Sequence, residues 1–134
     1  MAAHQRSPGA AVSAASAKGQ RFERLVADWL KFRLQNDHID IRPKNGTNDR
    51  GDIGGVRTAM GAKVVLELKN HTRFALSDWL DQAEVEACND DAPYTAVIFK
   101  RPRKGKPADQ YVLMTAEVFA RLIEGGHDAE VIGA

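Results

Sequence analysis

Ala62-Lys63-Val64-Val65-Leu66-Glu67-Leu68-Lys69 reads as a buried strand, with a Val-rich apolar centre that begins after the turn residue Gly61 and ends in the polar run Asn70-His71-Thr72-Arg73. Alternate side chains of a strand share a face, so Glu67 and Lys69 project together. Neither charge is cheap to bury without a partner. A metal site opening to solvent would resolve that conflict. Upstream, Arg50-Gly51-Asp52-Ile53-Gly54-Gly55-Val56 places glycines around another acid, where they permit a sharp entry into a short strand. Two adjacent strands over residues 52–57 and 63–69, joined by a turn at Gly61, would bring Asp52 close to Glu67. Eighteen acids and eight lysines in 134 residues give about one acid-x-Lys triplet by chance. Specificity therefore rests on the strand context and on Asp52; the plain alternative is a surface Glu-Lys pair on an edge strand.

Working outward, residues 1–16 are rich in Ala, Ser and Gly and read as a flexible N-terminal tail. Residues 17–134 read as one domain. From 17 to 34, Phe22, Leu25, Val26, Trp29 and Leu30 recur at helical spacing. At 100° per residue, Glu23 falls beside Leu30 on the rim of that stripe, half-buried and able to face a neighbouring site. Without other evidence, Glu23 would be a solvated residue paired with a nearby Arg or Lys. A short strand at 39–42 and a polar loop at 43–51 follow, then the two strands above. A second helix is expected over 77–88 with Ser77 as its N-cap. Strands at 94–100 and 110–114 come next, joined through the basic stretch as a hairpin or longer loop. A last helix over 116–124 stops at Gly125-Gly126. Helix, three strands, helix, two strands, helix suggests an α/β fold with a mixed central sheet flanked by helices.

The composition, 43% hydrophobic and 28% charged, is that of a globular domain. No apolar run reaches membrane-spanning length, and no apolar h-region stands at the N-terminal end. Cys88 is the only cysteine, which excludes an intrachain disulfide and a cysteine-based zinc cluster. The expectation is a cytoplasmic protein without membrane association. The net charge of +1 hides an uneven distribution. Lys100-Arg101-Pro102-Arg103-Lys104-Gly105-Lys106 carries five cations and no acid, while Arg42, Lys44, Arg50 and Arg57 surround Asp52. Such basic faces suit a phosphate backbone. Arg42, Lys44, Arg50, Arg101, Arg103, Lys104 and Lys106 are the candidate DNA contacts, a reading favoured over that of a merely solvated hairpin tip for the basic run.

Phosphodiester hydrolysis needs an activated water and a stabilised, charge-rich transition state. Carboxylates holding Mg²⁺, with Mn²⁺ as a substitute, would serve both needs. Asp52 and Glu67 are the candidate ligands, with the Leu68 backbone carbonyl and Glu23 as further donors. Lys69 would orient water or offset phosphate charge. Gln82 would reach the same region if the second helix packs nearby. One metal or two remain equally compatible. His4, His38, His71 and His127 lack metal-ligand spacing, and Trp29 and Trp79 read as core.

Lys18-Gly19-Gln20-Arg21-Phe22-Glu23, Gly51-Asp52-Ile53 and Glu67-Leu68-Lys69-Asn70 together resemble the PD-(D/E)xK nuclease superfamily, in particular archaeal-type Holliday junction resolvases and their phage relatives. The likeness continues through Trp79-Leu80-Asp81-Gln82-Ala83 and the later strand–basic loop–strand, covering residues 17–124. It implies a restriction-endonuclease-like core, Mg²⁺-dependent cleavage of branched DNA and a homodimer. Residue by residue it implies Glu23, Asp52, Glu67 and Lys69 as the catalytic set, with Gln82 as an accessory. Gly51 stands where the superfamily's name has proline. Two alternatives accompany this expectation: a nuclease of duplex, flap or damaged DNA, and a DNA-binding module without chemistry on the same fold.

Overall fold

The computed structural model describes residues 14–44 and 48–128. Helix α1 (Ala14–Leu34) is followed by strands β1 (Asp40–Ile41), β2 (Ile53–Gly54) and β3 (Val64–Lys69), helix α2 (Leu76–Asn89), strand β4 (Tyr94–Phe99), a 3₁₀ turn (Pro107–Asp109), strand β5 (Tyr111–Leu113) and helix α3 (Ala116–Ile123). The order of helices and strands is the one expected from the sequence. The five strands form one open sheet in sequence order. Only β3 and β4 run parallel; the other neighbours are antiparallel. The sheet is therefore mixed, with α2 as the crossover that a parallel pair requires.

Period-2 alternation divides the core between two faces. On one face, Phe22, Val26 and Ala27 of α1 join Ile39, Ile53, Leu66, Leu68, Ala96 and Ile98. On the other, Trp79 and Ala83 of α2 meet Val97 and Phe99. Every residue of β4 is buried, as befits a central strand covered on both sides. Glu67 and Lys69 stand out of phase with Leu66 and Leu68, so their side chains project toward the α2 face.

Several boundaries differ from expectation for local reasons. Helix α1 begins at Ala14, so residues 14–16 belong to it and not to a tail; residues 1–13 lie outside the described set. The strand expected over 52–57 is reduced to Ile53–Gly54 plus an isolated Arg57–Lys63 bridge. Gly55 breaks it: its φ is +83°, and a Cβ there would lie 2.1 Å from the His38 carbonyl oxygen. Ser77 is not the N-cap of α2. Ala75 occupies that position without a side-chain hydrogen bond. The helix entry is fixed instead by Phe74 packed on Trp79, ring centroids 5.9 Å apart, a hydrophobic staple across the first turn. The expected stop of α3 at Gly125-Gly126 is present. Gly126 N–H donates to the Arg121 carbonyl at 2.9 Å and Gly125 N–H to that of Leu122 at 3.1 Å, the paired bonds of a Schellman motif.

Candidate active site

Gly51 sets the position of Asp52. Its φ is +93°, and a Cβ would meet Val65 Cγ1 at 2.6 Å and the Leu66 carbonyl oxygen at 3.1 Å. Proline, with φ fixed near −65°, has no place in this turn. The Asp52 backbone is pinned by its N–H donating to the Leu66 carbonyl at 2.9 Å and by its own carbonyl accepting from Arg42 N–H at 2.8 Å. Its buried side chain then reaches β3, where Oδ2 accepts from Leu68 N–H at 2.8 Å. A strand residue's N–H and C=O point to the same side, so the Leu68 carbonyl also lies on the Asp52 side of β3.

Glu67 is 4% exposed. Its Oε2 lies 3.2 Å from Lys69 Nζ, while Oε1 is buried without a hydrogen-bond partner. The pair shares a face, as the strand period requires. Lys69 also donates to Gln82 Oε1 at 2.9 Å, so α2 does bring Gln82 to this region. Gln82 Nε2 in turn donates to Glu86 Oε2 at 3.1 Å. Glu86, 2% exposed, lies against Glu67 and leaves its own Oε1 without a partner. Sequence reasoning missed Glu86. The signal was its position: four residues after Gln82 and seven after Trp79 it continues the stripe of α2 that faces the sheet, whose other buried members are Trp79, Ala83 and Ala87.

On the opposite side, α1 presents Glu23, whose side chain is 15% exposed. The ammonium of Lys44 stands between Glu23 and Asp52, 3.8 Å from Glu23 Oε2 and in direct contact with Asp52 Oδ1. Lys44, a candidate DNA contact, pairs here with the acids of the site, and its side chain stays 59% exposed. Arg42 is also paired. Its guanidinium donates to buried Asp90 Oδ2 at 2.9 Å and to the Arg50 carbonyl at 3.0 Å, which makes it a structural brace of the loop carrying Gly51. Arg50 is exposed and lines a small cleft beside that brace.

Mutual repulsion and burial dominate the electrostatics. Burial, the Glu86 carboxyl and the nearby Asp52 charge push Glu67 up to about 10. Glu86 is raised by burial. Burial and Asp52 raise Glu23 against the pull of Lys44. Lys44 is itself raised: burial opposes its charge, and Asp52 and Glu23 outweigh burial.

Glu23, Lys44, Asp52, Glu67 and Lys69 line one cleft of about 460 Å³. A second, smaller cleft shares Lys18, Asn70, His71 and Thr72 with it and is lined further on by Phe74, Lys100 and Pro102, so the start of the basic loop adjoins the neighbouring cleft. That loop is built from within. Buried Gln110 accepts from Arg101 N–H at 2.7 Å and donates to the carbonyls of Lys104 (3.0 Å) and Lys106 (2.6 Å). Lys100 Nζ turns inward to the carbonyls of Arg101 and Lys104. Arg101 lies 5.5 Å above the Tyr111 ring. Arg103, Lys104 and Lys106 are exposed, and among the described residues none of the three forms an ion pair within 4.0 Å. His71 packs on Trp79 at 5.5 Å, and Trp79 is core as expected; Trp29 is half-buried.

No group of three or more His, Cys, Asp or Glu side chains among the described residues is gathered to hold a metal by side chains alone. The oxygen donors near the cleft are the carboxylates of Asp52 and Glu67 and the Leu68 carbonyl, with Glu23 across it. That oxygen set suits a hard divalent ion that keeps several waters, and the unpartnered Glu67 Oε1 is the atom such an ion would satisfy. No helix among the described residues is long and apolar enough to cross a membrane. Compared with known protein families, curated proteins and solved structures, the chain matches none.

Proposed function

We propose that this chain is a Mg²⁺-dependent DNA endonuclease with a restriction-endonuclease-like core, hydrolysing phosphodiester bonds in branched DNA such as four-way junctions. The observation that carries the proposal is the convergence of Asp52, Glu67 and Lys69, with Glu23, in one open cleft. A buried acid pair facing an ammonium is poor design for stability alone, because two like charges in a dry site disfavour each other. Convergent perturbed groups of this kind mark functional sites. The resemblance of Glu23, Gly51-Asp52 and Glu67-Leu68-Lys69 to the PD-(D/E)xK pattern supports the same reading.

Asp52 and Glu67, with the Leu68 carbonyl and Glu23, would hold Mg²⁺ or Mn²⁺. When bound, such an ion supplies Lewis-acid stabilisation of the phosphate's developing charge. The protein's own residues do the rest. Lys69, fixed between Glu67 and Gln82, presents an ammonium that orients the attacking water and offsets charge on the phosphate oxygens. The water oxygen bonds to phosphorus and gives a proton to solvent, while the bond from phosphorus to the leaving oxygen breaks and that oxygen takes a proton from solvent. Arg103, Lys104 and Lys106 hold the DNA backbone along the groove, and Arg101 contributes from beside Tyr111. Selectivity for branched DNA would come from a homodimer that sets two clefts a fixed distance apart. Activity in the cytoplasm follows from this reading.

The test is cleavage of a labelled four-way junction and a matched linear duplex, with Mg²⁺ or EDTA, by wild type and Glu67→Gln. Paired nicks in the junction alone, lost with EDTA and in the variant, are expected. Cleavage of both substrates would assign a nuclease of other specificity. Tight junction binding without cleavage would reduce the protein to a binding module.

A further inference from the structure

We infer that Glu86 is a positioning residue for this site: through Gln82 it fixes Lys69, and by direct contact it fixes Glu67. The inference rests on the nuclease reading and names a part of the machinery outside the acid-x-Lys triplet.

Hydrogen-bond polarity sets the order of these side chains. An ammonium only donates, a carboxylate only accepts, and the side-chain amide between them can do one at each end. Because Glu86 Oε2 takes the Gln82 amide N–H at 3.1 Å, the amide can present only its oxygen to Lys69, which donates to it at 2.9 Å. Reverse the amide and both contacts become repulsive. Lys69 is thereby tied at two points, to Gln82 and to Glu67 Oε2 at 3.2 Å, and its ammonium cannot swing out of the cleft. Glu86 also lies against Glu67, which closes the ring Lys69–Gln82–Glu86–Glu67. Gln82 is exposed whereas Glu86 is 2% exposed, so the rigid member of the ring is the acid on α2. Burial of an acid with one oxygen unpartnered costs stability. A hydrophobic residue would pack better at this position on the α2 stripe, so the acid marks a functional demand.

Glu86→Leu, Glu86→Gln and wild type separate this role from a structural one. The leucine variant removes a buried acid; of the groups it deprives, Gln82 is solvent-accessible and Glu67 keeps Lys69 at Oε2, so it should melt at or above the wild-type temperature. Its kcat for junction cleavage should fall by about 10- to 100-fold, and its Mn²⁺ affinity, read by calorimetry without DNA, should weaken in the same range. Junction affinity in EDTA and KM should stay within about twofold. Glutamine can accept from Gln82 and donate to Glu67, so Glu86→Gln should restore both readouts to within about threefold. Wild-type kcat and Mn²⁺ affinity in Glu86→Leu would overturn the inference, and so would a glutamine variant as impaired as the leucine one. If wild type cuts nothing, calorimetry decides alone. Mn²⁺ binding weakened by leucine and restored by glutamine would keep the positioning role while ending the nuclease reading. Unchanged binding, or no binding by wild type, would end the positioning role too.

Discussion

Replacing Glu67 by glutamine should make the metal-free protein more stable while abolishing its cleavage. Burial and two neighbouring acids hold the Glu67 carboxyl protonated in the fold, pushing its pKa up to about 10, against an ordinary value of 4.5. In that window the folded state binds more protons than the unfolded state, so stability is greatest below pH 4.5 and declines as pH rises toward the folded value. At pH 7 only the gap up from 4.5 counts, whatever the folded pKa above 7. At about 1.4 kcal/mol per pH unit, this amounts to about 3 kcal/mol. Glutamine carries no such linkage. Its oxygen can accept from Lys69 and its amide can donate to Glu86 or Asp52, so the variant keeps the contacts and loses the penalty. For a domain of this size the gain is a rise in melting temperature of about 10 °C at pH 7. Glu86, also raised by burial, leaves both proteins some pH dependence, and the variant-minus-wild-type difference reads Glu67 together with its effect on Glu86. Scanning calorimetry in EDTA should show a small difference at pH 5 that widens by pH 7.5. Added Mg²⁺ should narrow it by stabilising wild type alone. A variant that melts at or below wild type at pH 7.5 in EDTA, or a difference that does not grow with pH, would refute the account of Glu67 as a buried, destabilising acid.

Lys69→Met should lower junction cleavage by about a hundredfold or more while leaving junction affinity in EDTA unchanged, because only transition-state stabilisation is removed; equal losses in binding and cleavage would argue against that role. Gly51→Ala should destabilise the fold by about 1–3 kcal/mol, through a backbone at φ +93° and a Cβ 2.6 Å from Val65 Cγ1; chemical denaturation checks this, and a neutral result would mean the turn at Asp52 adjusts freely. Arg103→Ala, Lys104→Ala and Lys106→Ala together should weaken DNA binding and reduce the slope of log affinity against log salt by about 2–3. The loop's inner bonds use backbone carbonyls of Lys104 and Lys106, so it should keep its shape, and an unchanged slope would remove the loop from the DNA interface.

Local periodicity explains what was legible in the chain. The apolar alternation of residues 62–69 and the helical stripe of Phe22, Val26 and Leu30 identify strand and helix without any partner, since each pattern reports a single element's own geometry. The same period places Glu67 and Lys69 on one face, and the 3.2 Å contact follows. Composition and glycines mark the turns. What joins elements is not periodic, and only the tertiary structure decided it. The antiparallel step from β2 to β3 carries Asp52 to Leu68 N–H. The α2 crossover lays Gln82 and Glu86 over the face that Glu67 and Lys69 share. Cations that look alike along the chain are divided by three-dimensional packing: Arg42 goes to buried Asp90, Lys44 goes to the acids of the cleft, and Arg103, Lys104 and Lys106 stay in solvent. A charge finds its partner through space, over separations as long as the 48 residues between Arg42 and Asp90, and sequence spacing holds no record of that distance.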